Sequence, residues 1–143
     1  MKIVFFSDLH GKVNLLEKLI EKENPDELYA LGDLELCKSK LEKYKITSIK
    51  GNCDNENLPL YLRINLDGTN ILLLHGHTHN VKIDLNNVYY FSLSNNCETV
   101  IFGHTHKILY QKEEGFTFLN PGSLRDNETY LVYENNIFKH HRL

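Results

Sequence analysis

Short apolar runs that each stop at a glycine, aspartate, asparagine or histidine restrict the fold of this chain more than any other feature. Ile3-Val4-Phe5-Phe6 leads into Ser7-Asp8-Leu9-His10, Ala30-Leu31 into Gly32-Asp33, Ser48-Ile49 into Lys50-Gly51-Asn52, Leu73-Leu74 into His75, and Ile101-Phe102 into Gly103-His104. Runs this short, bounded by turn formers, read as buried strands rather than helices. Residues 13–22 instead place Leu15, Leu16, Leu19 and Ile20 at helical spacing, and residues 34–44 read as a second helix. Strands at 3–6, 27–31 and 46–49 separated by helices need crossover connections, which make a parallel sheet.

After Pro59 the pattern changes. Residues 60–66 alternate in polarity, Asp67-Gly68 is a hairpin signal, and residues 70–74 are a strongly apolar strand. Residues 85–95 are predicted to be helical. Residues 99–102, 107–112, 116–119, 130–133 and 137–140 are predicted as short strands, with Glu134-Asn135-Asn136 closing the last pair as a hairpin. The 143 residues fit a single domain, 1–143, of α/β class without linker or repeat architecture. Hydrophobic residues at 41 % and a formal net charge of -3 argue against a disordered chain and against the basic footprint of sequence-independent nucleic-acid binding. Cys37, Cys53 and Cys97 have no paired spacing, which fits a reducing compartment and argues against a thiolate zinc site. No apolar leader or membrane-length run is present, so the expectation is a cytoplasmic chain with no membrane partner.

The residues just beyond the strands carry the chemistry. In an α/β sheet the carboxyl ends of the strands share one edge, so Asp8, His10, Asp33, Asn52, His75, His104 and His106 can converge there. Taken singly, such residues are more often turn formers than ligands, and it is the ordered set that reverses this. Carboxylate, imidazole and amide oxygen suit Mn²⁺, Fe²⁺, Ni²⁺ or Zn²⁺. Two such ions sharing a carboxylate would generate hydroxide near neutral pH and clamp a phosphoryl group. Gly11, Gly32, Gly51, Gly76 and Gly103 fit loops that need unusual φ or close backbone approach.

The succession Asp8-Leu9-His10-Gly11, Gly32-Asp33, Gly51-Asn52-Cys53-Asp54, His75-Gly76-His77 and Gly103-His104-Thr105-His106, and then Asn120-Pro121-Gly122-Ser123, resembles the calcineurin-like metallophosphoesterase superfamily. Within it the chain is similar to the small stand-alone bacterial and archaeal phosphodiesterases, which are related to the retromer scaffold subunit. The resemblance implies a two-sheet β-sandwich flanked by helices, an αββα arrangement, with two metals at the sheet ends. It places Asp8, His10, Asp33 and His106 on one metal, and Asp33, Asn52, His75 and His104 on the other. Asp33 is then the bridge, and Asp54 orients a ligand or loop. It implies metal-dependent hydrolysis of a small phosphodiester or nucleotide by a metal-bridging hydroxide, with Mn²⁺ the first expectation among Mn²⁺, Ni²⁺, Fe²⁺ and Zn²⁺. Asp33, Asn52, Asp54 and His75 are the residues expected to carry catalysis.

This chain departs from the pattern at Cys53, where many members of the superfamily have a histidine thought to protonate the leaving alkoxide. A thiol of pKa about 8.5 is a poor substitute for an imidazole near 6.5. His77 and His79, by their position in sequence, are candidates to compensate, and equally candidates for plain surface. Arg125 is a candidate phosphate contact, and the short connections predict an open site. Tyr89-Tyr90-Phe91 reads either as a homodimer patch or as one side of an amphipathic core element. A protein-binding scaffold on the same fold, a phosphomonoesterase and a nuclease are the alternatives, the last disfavoured by the acidic balance.

Overall fold

Ile3 and Phe5 face one side of the first strand and Val4 and Phe6 the other, and all four are buried, so this strand lies in the interior between two apolar layers. The computed structural model describes residues 1–143. The strand is β1 (Lys2–Phe6), and it pairs parallel with β2 (Glu27–Ala30), which pairs parallel with β3 (Ile46–Ser48). On its other side β1 pairs antiparallel with β9 (Thr129–Glu134), itself paired with β10 (Ile137–Arg142), giving the order β10-β9-β1-β2-β3. The predicted parallel set is therefore three of the five strands of a mixed sheet.

The second sheet has the order β4-β5-β6-β8-β7, from β4 (Tyr61–Leu66), β5 (Thr69–Leu74), β6 (Thr99–Ile101), β8 (Phe116–Pro121) and β7 (Ile108–Glu113). Here β5, β6 and β8 run parallel, with antiparallel edges at β4 and β7. Ile3, Phe5, Leu131 and Tyr133 from the first sheet share one apolar cluster with Ile71, Leu73, Ile101 and Phe118 from the second. A second cluster joins Val4, Phe6, Tyr130 and Val132 to Leu16 and Leu19 of α1 (Val13–Glu23) and Leu41 of α2 (Lys38–Lys43). Val88 of α3 (Asn86–Ser94) packs into the first cluster, so helices cover both outer faces and the expected αββα layering is present. No helix is long and apolar enough to cross a membrane.

Local sequence explains the turns. Asp67-Gly68, Glu114-Gly115 and Asn135-Asn136 each put two successive residues at positive φ, the conformation that matches the twist of a two-residue hairpin. Asn24 closes α1 in the left-handed region, its N–H donating to the Ile20 carbonyl, and Pro25 comes next.

Two expectations need correction. The helix predicted over 34–44 is only Lys38–Lys43, because Asp33 and Glu35 sit at φ 56° and 55° and cannot be helical. A short helix, α4 (Leu124–Asn127), was not predicted; Ser123 caps it by accepting from the Asp126 N–H at 3.0 Å.

Candidate metal centre

Both parallel sets point their carboxyl ends to one edge, and every predicted ligand lies in the loop beyond such an end. Asp8 and His10 come after β1, Asp33 after β2, Asn52 after β3, His75 after β5, and His104 and His106 after β6. Asp8, His10, Asp33, His104 and His106 all adopt positive φ, between 48° and 68°. Aspartate and histidine tolerate this region better than bulky residues, yet a concentration of it in one site marks a backbone bent to aim side chains. Two glycines let the loops approach. A Cβ on Gly51 would collide with Asp33 Oδ1, and one on Gly103 with Ser7 Oγ.

The ligand atoms gather in overlapping groups. Those of Asp8, His10 and His106 lie within 4.8 Å of one another, as do those of Asp33, His75 and His104. Asn52 Oδ1 is 3.0 Å from His75 Nε2, which also faces Asp33 Oδ2 at 3.1 Å. These are the two sets implied by the resemblance, except that the first group forms without Asp33. Cys53 joins His10 and Asp33 in a third group.

The outer hydrogen bonds fix the orientation of three imidazoles. Nδ1 of His10 meets Glu35 Oε2 at 2.9 Å, Nδ1 of His106 meets Asp126 Oδ2 at 2.6 Å, and Nδ1 of His75 meets the Leu31 carbonyl at 2.7 Å. A carboxylate or carbonyl can only accept, so each Nδ1 carries the proton and each Nε2 turns inward as a potential ligand. Asp54 does not reach the cluster. Its carboxylate accepts from the backbone N–H of Asp33 and Gly51, both at 2.8 Å, and of Glu35 at 3.0 Å, which pins two ligand loops together.

Charge in the site is unfinished. Asp8 Oδ1 and His10 Nε2 are buried and have no hydrogen-bond partner, although Asp8 Oδ2 accepts from Ser7 Oγ and the His104 N–H. Burial raises the Asp8 pKa. For Asp33 burial acts in the same direction, but the hydrogen bond and charge of His75 prevail and hold it at about 2. His75 is raised correspondingly, burial being outweighed by Asp33 and Asp8. Burial, with His75 and Lys82 nearby, pushes His104 down to about 4, leaving a neutral imidazole. Two carboxylates, an amide oxygen and four imidazoles, with one buried carboxylate oxygen that has no hydrogen bond, form a donor set that fits a divalent cation.

The structure separates His77 from His79. His77 stands beside His75 and His104, at ring centroid distances of 5.4 and 6.2 Å, whereas His79 packs on Phe91 at 4.3 Å. Arg125, the candidate phosphate contact, donates through Nε to Asp126 Oδ1 at 2.7 Å. Arg125 and then His106 hold the Asp126 carboxyl at about 2. Sequence reasoning missed Glu35, Asp126 and Ser7 as partners of ligands. The only available signal was the Ser123-x-x-Asp126 capping pattern, which marks α4 but not its contact with His106.

Comparison with known proteins shows the family and the fold. Residues 1–137 match the family model of the calcineurin-like phosphoesterase superfamily domain. A probable metallophosphoesterase, YsnB of Bacillus subtilis (strain 168), is 32% identical over 130 residues, covering 87% of this chain and 76% of the relative. Phosphodiesterase YfcE of Escherichia coli (strain K12) is 25% identical over 154 residues, covering 87% and 79%. Among solved structures, Vps29 complexed with Zn²⁺ from Entamoeba histolytica shares the fold with a TM-score of 0.78 at 20% identity, over 100% of this chain and 98% of that one. The chain belongs to the calcineurin-like phosphoesterase superfamily.

Proposed function

We propose that this protein is a metal-dependent phosphodiesterase with a dinuclear centre. Asp8, His10, Asp33 and His106 would hold one divalent cation and Asp33, Asn52, His75 and His104 the other, with Mn²⁺ the first choice and Ni²⁺, Fe²⁺ and Zn²⁺ alternatives. When bound, such cations supply a nucleophile at neutral pH and neutralise the phosphoryl oxygens. The observation that carries the reading is the buried, partnerless Asp8 Oδ1 beside an equally partnerless His10 Nε2. Three imidazole Nε2 atoms face that oxygen, His106 at 3.2 Å and His10 and His75 at 3.9 Å, without making a hydrogen bond to it, which is the arrangement a shared cation would complete.

The protein's own part is positioning. Glu35, Asp126 and the Leu31 carbonyl orient three imidazoles, and Asp54 holds the Asp33 and Gly51 loops in register. Cys53 donates its backbone N–H to Asp33 Oδ1 at 2.8 Å, which fixes that carboxylate. Burial and the Asp33 charge push its thiol pKa up, so the thiol does not take the place of an acidic imidazole. Diesters whose leaving group departs without protonation are therefore the favoured substrates. YfcE, named a phosphodiesterase, supports this choice of substrate class.

The test is hydrolysis of an aryl phosphodiester and its monoester by metal-stripped protein, with and without Mn²⁺, alongside Asp33→Asn. The expected result is Mn²⁺-dependent diester turnover that disappears in the variant. Faster turnover of the monoester would reassign the substrate class. The fold shared with Vps29 supports one second reading, a binding scaffold, to which absence of turnover with Mn²⁺, Ni²⁺, Fe²⁺ and Zn²⁺ in a folded protein would lead.

A further inference from the structure

Beside the metal centre, on the His104 side, lies a cleft of about 510 Å³ that metal binding does not account for. Val81, Leu85, Phe102 and Leu109 give it an apolar floor, while Lys82 and Lys107 stand at its edge and no carboxylate lines it. Neither ammonium forms an ion pair. The cleft adjoins the centre through Thr105, which lines it and is the residue between His104 and His106. A cavity of this size, lined by apolar side chains and a few polar ones, has the character of a small-molecule site.

Thr105 shows that the polar part is built. Its Oγ1 accepts from Asn120 Nδ2 at 3.1 Å and from the Lys107 N–H at 3.2 Å. Asn120 is fully buried and is itself locked, donating also to the Gly103 carbonyl and accepting from the Gly122 N–H. With both acceptor positions of the Thr105 hydroxyl filled, only its proton remains, and it is free to donate. The cleft therefore offers two ammonium groups and one oriented O–H, all donors, above an apolar floor. The neighbouring groove across β7 and β8 has the opposite sign: Tyr89, Tyr90, Phe116 and Phe118 are bordered there by Glu113 and Glu114. An anion is matched to the first cleft and repelled by the second.

We propose that this cleft receives one ester arm of the substrate and selects an arm bearing a second phosphate, held by Lys82, Lys107 and the Thr105 hydroxyl, with its nucleobase or aryl group on the apolar floor. The proposal rests on the phosphodiesterase reading and names the substrate class within it: nucleotide diesters that carry a phosphate besides the one hydrolysed.

The experiment compares the p-nitrophenyl ester of thymidine 5′-phosphate with the same ester bearing a 3′-phosphate, using Mn²⁺-loaded wild type and the Lys82→Gln/Lys107→Gln double variant. In parallel, calorimetry measures thymidine 3′,5′-bisphosphate binding to both proteins without metal. The 3′-phosphate is expected to lower KM about tenfold in wild type, because hydrogen bonds to charged groups are the stronger kind. The variant should lose that preference and the bisphosphate affinity while hydrolysing the simpler ester as before. Equal KM values for the two esters in wild type, or a preference that survives in the variant, would overturn the proposal and leave the phosphodiesterase reading intact. Failure to hydrolyse either ester, with lysine-dependent bisphosphate binding retained, would remove the phosphodiesterase reading and the substrate-arm role, leaving only an anion site.

Discussion

Asp8 and Glu23 are both buried carboxylates, and their surroundings push them in opposite directions. Burial alone would raise Glu23, but the Tyr130 hydroxyl donates to one oxygen and Lys2 Nζ to the other at 3.3 Å, and together they lower its pKa. At Asp8 burial prevails, the pKa rises, and Oδ1 is left with no hydrogen bond. The contrast teaches how to tell a structural polar cluster from a functional one. The cluster around Glu23 is complete within the chain and serves to lock α1 against β9. The cluster around Asp8 leaves one buried oxygen without a hydrogen bond, and on the proposed function a cation is what completes it.

Replacing Asp8 gives the largest effect that this contrast predicts. Asp8→Asn should weaken Mn²⁺ binding by more than about 100-fold by calorimetry, since even the partners of metal ligands are worth about 10–100-fold. In the metal-free protein the same variant should be at least as stable as wild type, because its amide keeps an acceptor for Ser7 and His104 while removing a buried charge. Chemical unfolding in chelator that showed a loss of about 2 kcal/mol or more would make Asp8 a structural residue and dissolve the comparison.

Next come the outer partners of the histidines. Asp126→Asn and Glu35→Gln should each lower Mn²⁺ affinity by about 10–100-fold. Both residues are solvent-exposed, so unfolding free energies should stay within about 0.5 kcal/mol of wild type. Unchanged metal affinity in both would show that His10 and His106 orient without help.

At the other cluster the signs reverse. Tyr130→Phe leaves the buried Glu23 short of a donor and should lose about 1–3 kcal/mol of stability at pH 7, with Mn²⁺ affinity unaltered. Because the folded pKa of Glu23 is lowered, its stabilising contribution is present above the ordinary glutamate value of 4.5 and disappears as pH falls through the folded value. The smallest effect is the narrowing of the gap between wild type and variant in acid, read from unfolding curves across that range. A gap that widened as pH fell would mean that Glu23 is not the charged partner.

The sequence carried much of the site because its signals are local. Asp8, His10, Asp33, Asn52, His75, His104 and His106 each come just after a strand, and the structure brings each to the same edge. The helix predicted over 34–44 failed because the loop before it turns toward the candidate centre. Asp33 and Glu35 sacrifice helical φ to face the centre, and Leu34 and Leu36 are buried under the loop they form. Periodicity cannot see that exchange, because the apolar spacing of a buried loop and of a helix coincide here. Asp126 was invisible for another reason. Its partner His106 lies twenty residues away across β7 and β8, and nothing local to either residue encodes the meeting.

The sequence by itself determined where strands stop, which residues stand at those stops, and the hairpins at Asp67-Gly68 and Asn135-Asn136, since backbone preference and side-chain chemistry act over a few residues. Only the tertiary structure decided that β5, β6 and β8 present their carboxyl ends beside those of β1, β2 and β3, and that Asp8 Oδ1 is left without a partner while Glu23 is not. Both outcomes depend on which distant surfaces pack together. Hydrogen-bond completion inside the protein is settled by that packing, with water excluded, and not by any neighbour in the chain.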